Sequence, residues 1–164
     1  MAAADATITP FSPAGAPGFV FSCERVTVDL SDRDNPAGIV FPPGYRGTTD
    51  NSWRGFFLGR LRMTLPEALR TFSSGPPIVE VTNLLIDGSG LTLDAQVTNV
   101  IRYPQGNFGS WGASIDTLGL RLVSSSLQRG WMSGQIKVPV SDSSLLYRAI
   151  LRDTVGGIRF EFAI

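Results

Sequence analysis

Six aromatic residues are the side chains best suited to contacting a ligand or a protein partner. They lie in or beside predicted loops, or on the outward side of a predicted strand, and are Tyr45, Trp53, Tyr103, Phe108, Trp111 and Trp131. Exposed aromatic rings stack on sugars and anchor protein partners because they bury a large apolar area. Rings in such places also cap the ends of β-sheet cores, so the sequence leaves both roles open.

Residues able to perform acid–base or nucleophilic catalysis are sparse. The chain has no histidine, which removes Ser-His-Asp and Cys-His sites and the commonest general base. Cys23 lies in an alternating apolar run typical of a buried small hydrophobe. The acidic residues show no spacing typical of a glycosidase pair, and no glycine-rich phosphate loop occurs. We therefore predict no catalytic residue and no cofactor.

A cluster of oxygen-bearing side chains follows the first predicted core strand. Its members, Asp29, Asp32, Asp34 and Asn35, have the close spacing that calcium loops favour. The cluster lacks the glycine and the bidentate acid of a defined calcium loop. It indicates a turn held by Asp and Asn side chains, and no metal site is predicted.

Charge and hydropathy exclude several classes of partner. Fourteen basic residues balance fourteen acidic ones, so no global field favours nucleic acid. No apolar run approaches the length of a membrane span, and no export signal precedes the first strand. A single cysteine allows no internal disulfide, so the fold has to depend on its core.

Alternating apolar and polar residues, broken at intervals by Gly, Pro, Asp and Ser, predict an all-β fold. We expect eight or nine strands in an antiparallel, jelly-roll-like β-sandwich. The most distinct element is a hairpin of residues 78–86 and 91–101 around Asp87-Gly88-Ser89-Gly90. A second hairpin is predicted to end the chain, and Thr64 and Pro66 predict one short helix over 65–72.

Three further local features follow from the pattern. The first core strand, residues 19–31, shifts phase near Glu24-Arg25, which makes Val26, Val28 and Leu30 inward-facing. A short strand is predicted at 38–41. Residues 102–112 are predicted to form a loop.

Two similar decamers indicate an internal duplication. Residues 54–63 and 129–138 share the frame Arg-Gly-aromatic-x-x-Gly-polar-aliphatic-basic-aliphatic. Alternation along a strand places Leu61 and Ile136 inward and Arg60 and Gln135 outward. The inward glycines mark a bulge or a close backbone approach.

These features predict one domain over residues 19–164, with duplicated halves at about 19–101 and 112–164, preceded by an extended or disordered arm at 1–18. The function expected is a non-catalytic structural or protein-interaction module of a larger polypeptide or assembly. Its partners would be other subunits or neighbouring domains, with homo-oligomerisation through the arm as one route. The alternative is a carbohydrate-binding module using Tyr103, Trp111 and Trp53. The third is a hydrolase whose acids converge only in the fold.

Overall fold

The computed structural model describes residues 6–15, 18–66, 75–140, 142–154 and 157–164, and these form one antiparallel sheet. Its nine strands are β1 (Ala6–Phe11), β2 (Val20–Asp29), β3 (Gly55–Thr64), β4 (Ile78–Asp87), β5 (Gly90–Phe108), β6 (Trp111–Val123), β7 (Ser126–Lys137), β8 (Leu145–Thr154) and β9 (Gly157–Ala163). Their order in the sheet is their order in the sequence. The sheet is therefore an open meander with β1 and β9 at its edges.

Tight turns explain why β4, β5, β6 and β7 pair in succession. β4 and β5 are joined across Gly88-Ser89, as the sequence predicts, although the positive φ (109°) belongs to Gly90. The β6–β7 turn places Ser124 and Ser125 at φ 46° and 61°, a conformation that glycine or asparagine normally supplies. Hydrogen bonds to β5 offset this cost: Ser124 N donates to Thr92 Oγ1 (2.9 Å), and Ser125 N donates to the Leu91 carbonyl (2.8 Å).

The structure confirms the all-β antiparallel class and the expected number of strands, but it does not confirm a jelly-roll sandwich. A jelly roll places non-consecutive strands side by side, and every described strand neighbours only the next in sequence. The described residues contain no helix. Of the helix predicted over 65–72, Leu65 and Pro66 are not helical, and the Leu65 N–H instead bonds to the Pro77 carbonyl (3.1 Å). The other positions lie outside the described residues.

Strand β2 keeps one phase throughout, so the predicted shift near Glu24-Arg25 is wrong. Its pairing with β3 has no register shift, and Arg25 takes a positive φ of 54° without adding a residue. Polar Thr27 and Asp29 are consequently buried, whereas Val28 is 61% exposed. Residue polarity misleads here because the segment between β2 and β3 covers the side of β2 that carries the polar residues.

Two other local predictions are wrong. Residues 102–112 form a hairpin rather than a loop, because β5 continues to Phe108 and β6 begins at Trp111. Register irregularities between Thr98 and Ile101, and between Ile101 and Gly106, interrupt its alternation, which hides the strand period in the sequence. Residues 38–41 are not a strand; Ile39 and Phe41 pack on the core instead.

Two buried clusters lie on the same face of the sheet. The first contains Trp53, Phe57 and Leu85, and is covered by the segment between β2 and β3. The second contains Ala113, Ile136 and Tyr147, on β6, β7 and β8. Because side chains alternate along each strand and the pairing between the clusters is continuous from Met63 to Met132, both face the same side.

The decamers lie mainly in β3 and β7. Gly55 and Gly134 lie at close backbone approaches, as predicted, whereas Gly59 lies against the Arg25 side chain and Gly130 has only ordinary contacts. A Cβ on Gly134 would come within 2.2 Å of the Ser114 carbonyl oxygen, and one on Gly59 within 2.4 Å of the Arg25 side chain. The predicted halves correspond to β2–β5 and β6–β9, with β5 running past residue 101. The duplication itself stays a prediction. Within the predicted arm, Ala6–Phe11 forms β1 and pairs with β2.

The phase of β2 and β7 can be tested by unfolding. Ile136→Ala should lower the free energy of unfolding by about 2–5 kcal/mol, because it removes buried volume and leaves a cavity. Val28→Thr should change it by less than about 0.5 kcal/mol, as exposed substitutions usually do. Urea melts of both variants provide the measurement. A loss above about 1.5 kcal/mol for Val28→Thr would show that Val28 is an inward residue after all.

Candidate functional site

A polar cluster beside the β4–β5 turn combines two of the predicted aromatics with a carboxylate. The Trp53 indole Nε1–H lies 2.8 Å from Asp87 Oδ2 and 2.9 Å from Tyr45 Oη. The Tyr45 hydroxyl donates to the same carboxylate oxygen, and Ser89 N donates to Asp87 Oδ1 (2.7 Å). Asp87 therefore ties the covering segment between β2 and β3 to the β4–β5 hairpin.

The pKa values of this cluster follow from burial and hydrogen bonding. Burial by itself raises the pKa of Asp87, but hydrogen bonds from Tyr45, Ser89 and Trp53 outweigh it and lower the pKa from its ordinary value. For Tyr45, burial first, and then the hydrogen bond to Asp87, raise the pKa to about 12. The pair is thus held as a carboxylate and a neutral phenol across the ordinary pH range.

The depression at this cluster has a volume of about 420 Å³. Its lining residues are Tyr45, Arg46, Gly47, Thr48, Trp53, Arg54, Asp87, Gly88 and Ser89. Asp87 is the sole carboxylate among these described residues, and both of its oxygens already accept hydrogen bonds. Through these hydrogen bonds the arrangement acts as a structural clamp between the covering segment and the β4–β5 hairpin.

The three aromatics of the predicted carbohydrate platform do not come together. Trp53 is 1% exposed and belongs to the core, so its ring cannot stack on a sugar. Tyr103 and Trp111 lie on the β5–β6 hairpin, near its turn. Trp53 lies beside the β4–β5 turn, which is at the other end of β5. Trp111 is 41% exposed. Phe108 lies opposite Trp111 in the backbone register, and its side chain is outside the described part of the chain.

Trp131 lies on the face of the sheet opposite the two buried clusters. Its ring covers Gly119, where a Cβ would come within 2.2 Å of the indole, and the Arg129 guanidinium lies 4.9 Å from the ring centroid. This cation–π contact occupies a ring that the sequence suggested as a binding surface. Beside it, Arg121 makes a two-point ion pair with Asp94 (2.6 and 2.9 Å).

The sequence analysis missed a further candidate surface, which we call the apolar face. It is the part of the sheet between the two buried clusters and on their side. It consists of two rows of directly opposed residues that cross the sheet. One row is Cys23, Leu61, Val81, Ala95, Leu120, Gly130 and Leu151. The other is Phe21, Met63, Val79, Val97, Leu118, Met132, Ala149 and Phe162.

Neither row contains a charged or hydrogen-bonding polar side chain, yet much of the apolar face stays in contact with solvent. Leu118, Leu120 and Phe162 are 46%, 37% and 47% exposed. A shallow depression of about 230 Å³ lies among Leu118, Met132 and Leu151. Contiguous exposed apolar surface makes the apolar face a candidate interaction site, because isolated proteins rarely present large apolar patches to water.

Comparisons with known proteins identify no relative: no protein-family model, no curated protein and no solved structure matches this chain. Within the described ranges, no helix has the length and apolarity needed to cross a bilayer. Those ranges also contain no group of three or more cysteine or acidic side chains placed to hold a metal ion. Of the suspected calcium ligands, Asp29 accepts hydrogen bonds from Ser31 N and Oγ (both 2.8 Å), and Asp32 pairs with Arg54.

Removing the Tyr45 hydroxyl tests the clamp. Tyr45→Phe should lower the free energy of unfolding at pH 7 by about 1–2 kcal/mol, because Asp87 loses a buried donor. The wild type should also lose stability as pH rises from 10.0 towards about 12. In that interval the unfolded state releases the Tyr45 proton and the folded state keeps it.

Urea melts between pH 7 and 11 provide the measurement. Tyr45→Phe should show a smaller alkaline loss than the wild type. Tyr103→Phe is the matched control, since it removes a hydroxyl from the far hairpin. Equal alkaline loss in the wild type and Tyr45→Phe would contradict the raised pKa of Tyr45.

Proposed function

We propose that the protein is a non-catalytic assembly module whose apolar face packs against the apolar face of a second copy of the chain. The single observation that carries this proposal is the pair of uncharged apolar rows that cross the sheet and stay partly exposed. In this arrangement the β-sandwich expected from the sequence forms between two chains, each contributing one layer.

The geometry of a sheet suits such a partner. Two sheets pack face to face about 10 Å apart, with the side chains of their inner faces interdigitating. A two-fold axis brings identical surfaces together. Because the rows are free of charge, a contact confined to them would bury no unpaired ion, which is a main energetic obstacle to burying a surface.

The sizes of the side chains also favour protein packing. Leu118 and Met132 are directly opposite one another, and so are Leu120 and Gly130. Large residues therefore alternate with a position that has no side chain, which leaves room for a ring or an aliphatic chain from the opposing sheet. Leu118 and Leu120 are both exposed, so their methyl groups are available to such a layer.

Neither alternative from the sequence has comparable support. A carbohydrate-binding module loses Trp53 to the core. A glycoside hydrolase would need a second carboxylate beside Asp87, and Asp87 is the one carboxylate in the described lining of its depression.

Sedimentation velocity over a range of concentrations tests the proposal. The wild type should self-associate, and Leu118→Lys should weaken association by at least about tenfold, because the lysine ammonium would be buried without a partner. Thr117→Lys is the matched control. Thr117 is the preceding residue of β6, on the other face, and its substitution should leave association through the apolar face unchanged.

Two other outcomes would overturn the proposal. A wild type that stays monomeric up to high micromolar concentration would overturn the proposal. Equal weakening by Leu118→Lys and Thr117→Lys would also overturn it, because the effect would then not belong to the apolar face. Circular dichroism of each variant should show the wild-type strand content.

A further inference from the structure

The two edges of the sheet differ in how readily they could accept another strand. At the β1 edge the pairing with β2 contains two register shifts, and the strand itself contains Pro10. Shifts and prolines are devices that block strand addition, since they distort the edge and remove a donor. The β9 edge has neither: β9 contains no proline, and its seven residues pair with β8 in an unbroken register.

Positive charge accumulates towards the β9 edge, on the face of the sheet opposite the apolar face. One row of directly opposed residues crosses eight strands: Glu24, Arg60, Thr82, Asp94, Arg121, Arg129, Arg152 and Arg159. Its acids lie at the β2 end and in the middle, where Asp94 pairs with Arg121. The last three residues are all arginine. The nearest carboxylate to them among the described ion pairs is Glu161, 4.0 Å from Arg152.

From these observations we infer that β9 pairs with β9 of a second copy, antiparallel and with a two-fold axis at Phe160. Opposite residues on antiparallel strands lie on the same face, so the axis must pass through a residue position rather than between two. An axis at Arg159 would place that arginine opposite itself. An axis at Glu161 would do the same with glutamate.

The axis at Phe160 places Arg159 opposite Glu161 of the second copy, and this pair occurs twice. Directly opposite residues have Cβ atoms about 4.5–5.5 Å apart, close enough for an ion pair. Arg159 and Glu161 are both exposed in the single chain, so both are available. The register also places Glu161 of the second copy beside Arg159, at the end of the row where three arginines follow one another.

This pairing names a partner for the proposed assembly role and rests on that role, but it uses a separate surface. The two sheets would join into one, with both apolar faces on the same side. Face-to-face packing could then act on the joined sheet. Two different two-fold contacts build an assembly larger than a dimer, whereas loss of either one leaves the other intact.

Charge reversal tests the inferred register. Arg159→Glu places two glutamates opposite two glutamates in the homodimer, and Glu161→Arg places two arginines opposite two arginines. Each variant alone should pair through β9 at least about tenfold more weakly than the wild type. An equimolar mixture of the two should restore pairing, because every contact in the heterodimer is then glutamate opposite arginine.

The experiment is best done in the Leu118→Lys background, where the apolar face is blocked. Sedimentation velocity of Leu118→Lys should show a dimer, the two charge variants should be monomers, and their mixture should be a heterodimer. The doubly reversed chain, R159E with E161R, should form a homodimer. Arg62→Glu, an exposed charge reversal on β3, is the control and should leave the dimer intact.

Three outcomes would overturn the inference: a Leu118→Lys chain that is monomeric at all concentrations, charge variants that remain dimers, or a mixture that fails to associate. None of these outcomes would contradict the proposed function, because that proposal is tested by whether the wild type associates and whether Leu118→Lys weakens the association. Conversely, dimers of Leu118→Lys that respond to the charge variants support β9 pairing even if the wild type forms nothing larger.

Discussion

Sequential antiparallel pairing is the constraint on which this structure depends. Because each described strand neighbours the next in sequence, alternate side chains of β2 to β9 point to one common face wherever the register is unbroken. The segment between β2 and β3 covers that face over Phe57, and a second buried cluster surrounds Ile136. Between the two clusters, Leu118 and Leu120 are exposed in the described part of the chain. Exposed apolar surface costs about 25 cal/mol per Å² relative to burial, so covering these rows with another layer would contribute favourably to the free energy.

The Asp87 clamp shows how the chain provides what cover it has. The segment between β2 and β3 has no regular secondary structure, so separate hydrogen bonds hold it on the sheet. Tyr45 and Trp53 both donate to the Asp87 carboxylate. The backbone of Val40 bonds to the Asn83 amide, and Arg46 N donates to Ser124 Oγ. Held in this way, Trp53 packs with Phe57 and Leu85. The hydrogen bonds and the apolar contact depend on each other, because the Asp87 carboxylate is partly desolvated by the rings it holds. The same segment also explains why Thr27 and Asp29 are buried.

The sequence predicts local secondary structure well. Turn residues and alternation are local, so the β4–β5 hairpin, the final hairpin and the all-β class follow from the sequence. The phase of β2 does not, because it depends on tertiary packing: the segment after β2 folds back over the face that carries Thr27 and Asp29, and residue polarity does not show this. The β5–β6 hairpin fails for another reason: two irregularities break the alternation by which a strand is recognised. The number of layers is not local either, so a sandwich could not be distinguished from a single sheet.

The candidate site could have been found only by joining strands, not by ranking single residues. Leu118 and Val97 are unremarkable in their own strands, and become a surface when the register places them in one row. Choosing single aromatic residues as binding candidates was misleading. Trp53 is 1% exposed, whereas Trp111 is 41% exposed. The arginine row is likewise a property of the register. Arg129 and Arg152 are 23 residues apart in the sequence, and Arg152 and Arg159 are 7 apart, yet the register places the three side by side. In a meander, therefore, binding surfaces run across the strands, and the sequence reveals them only after each hairpin has been aligned with the next.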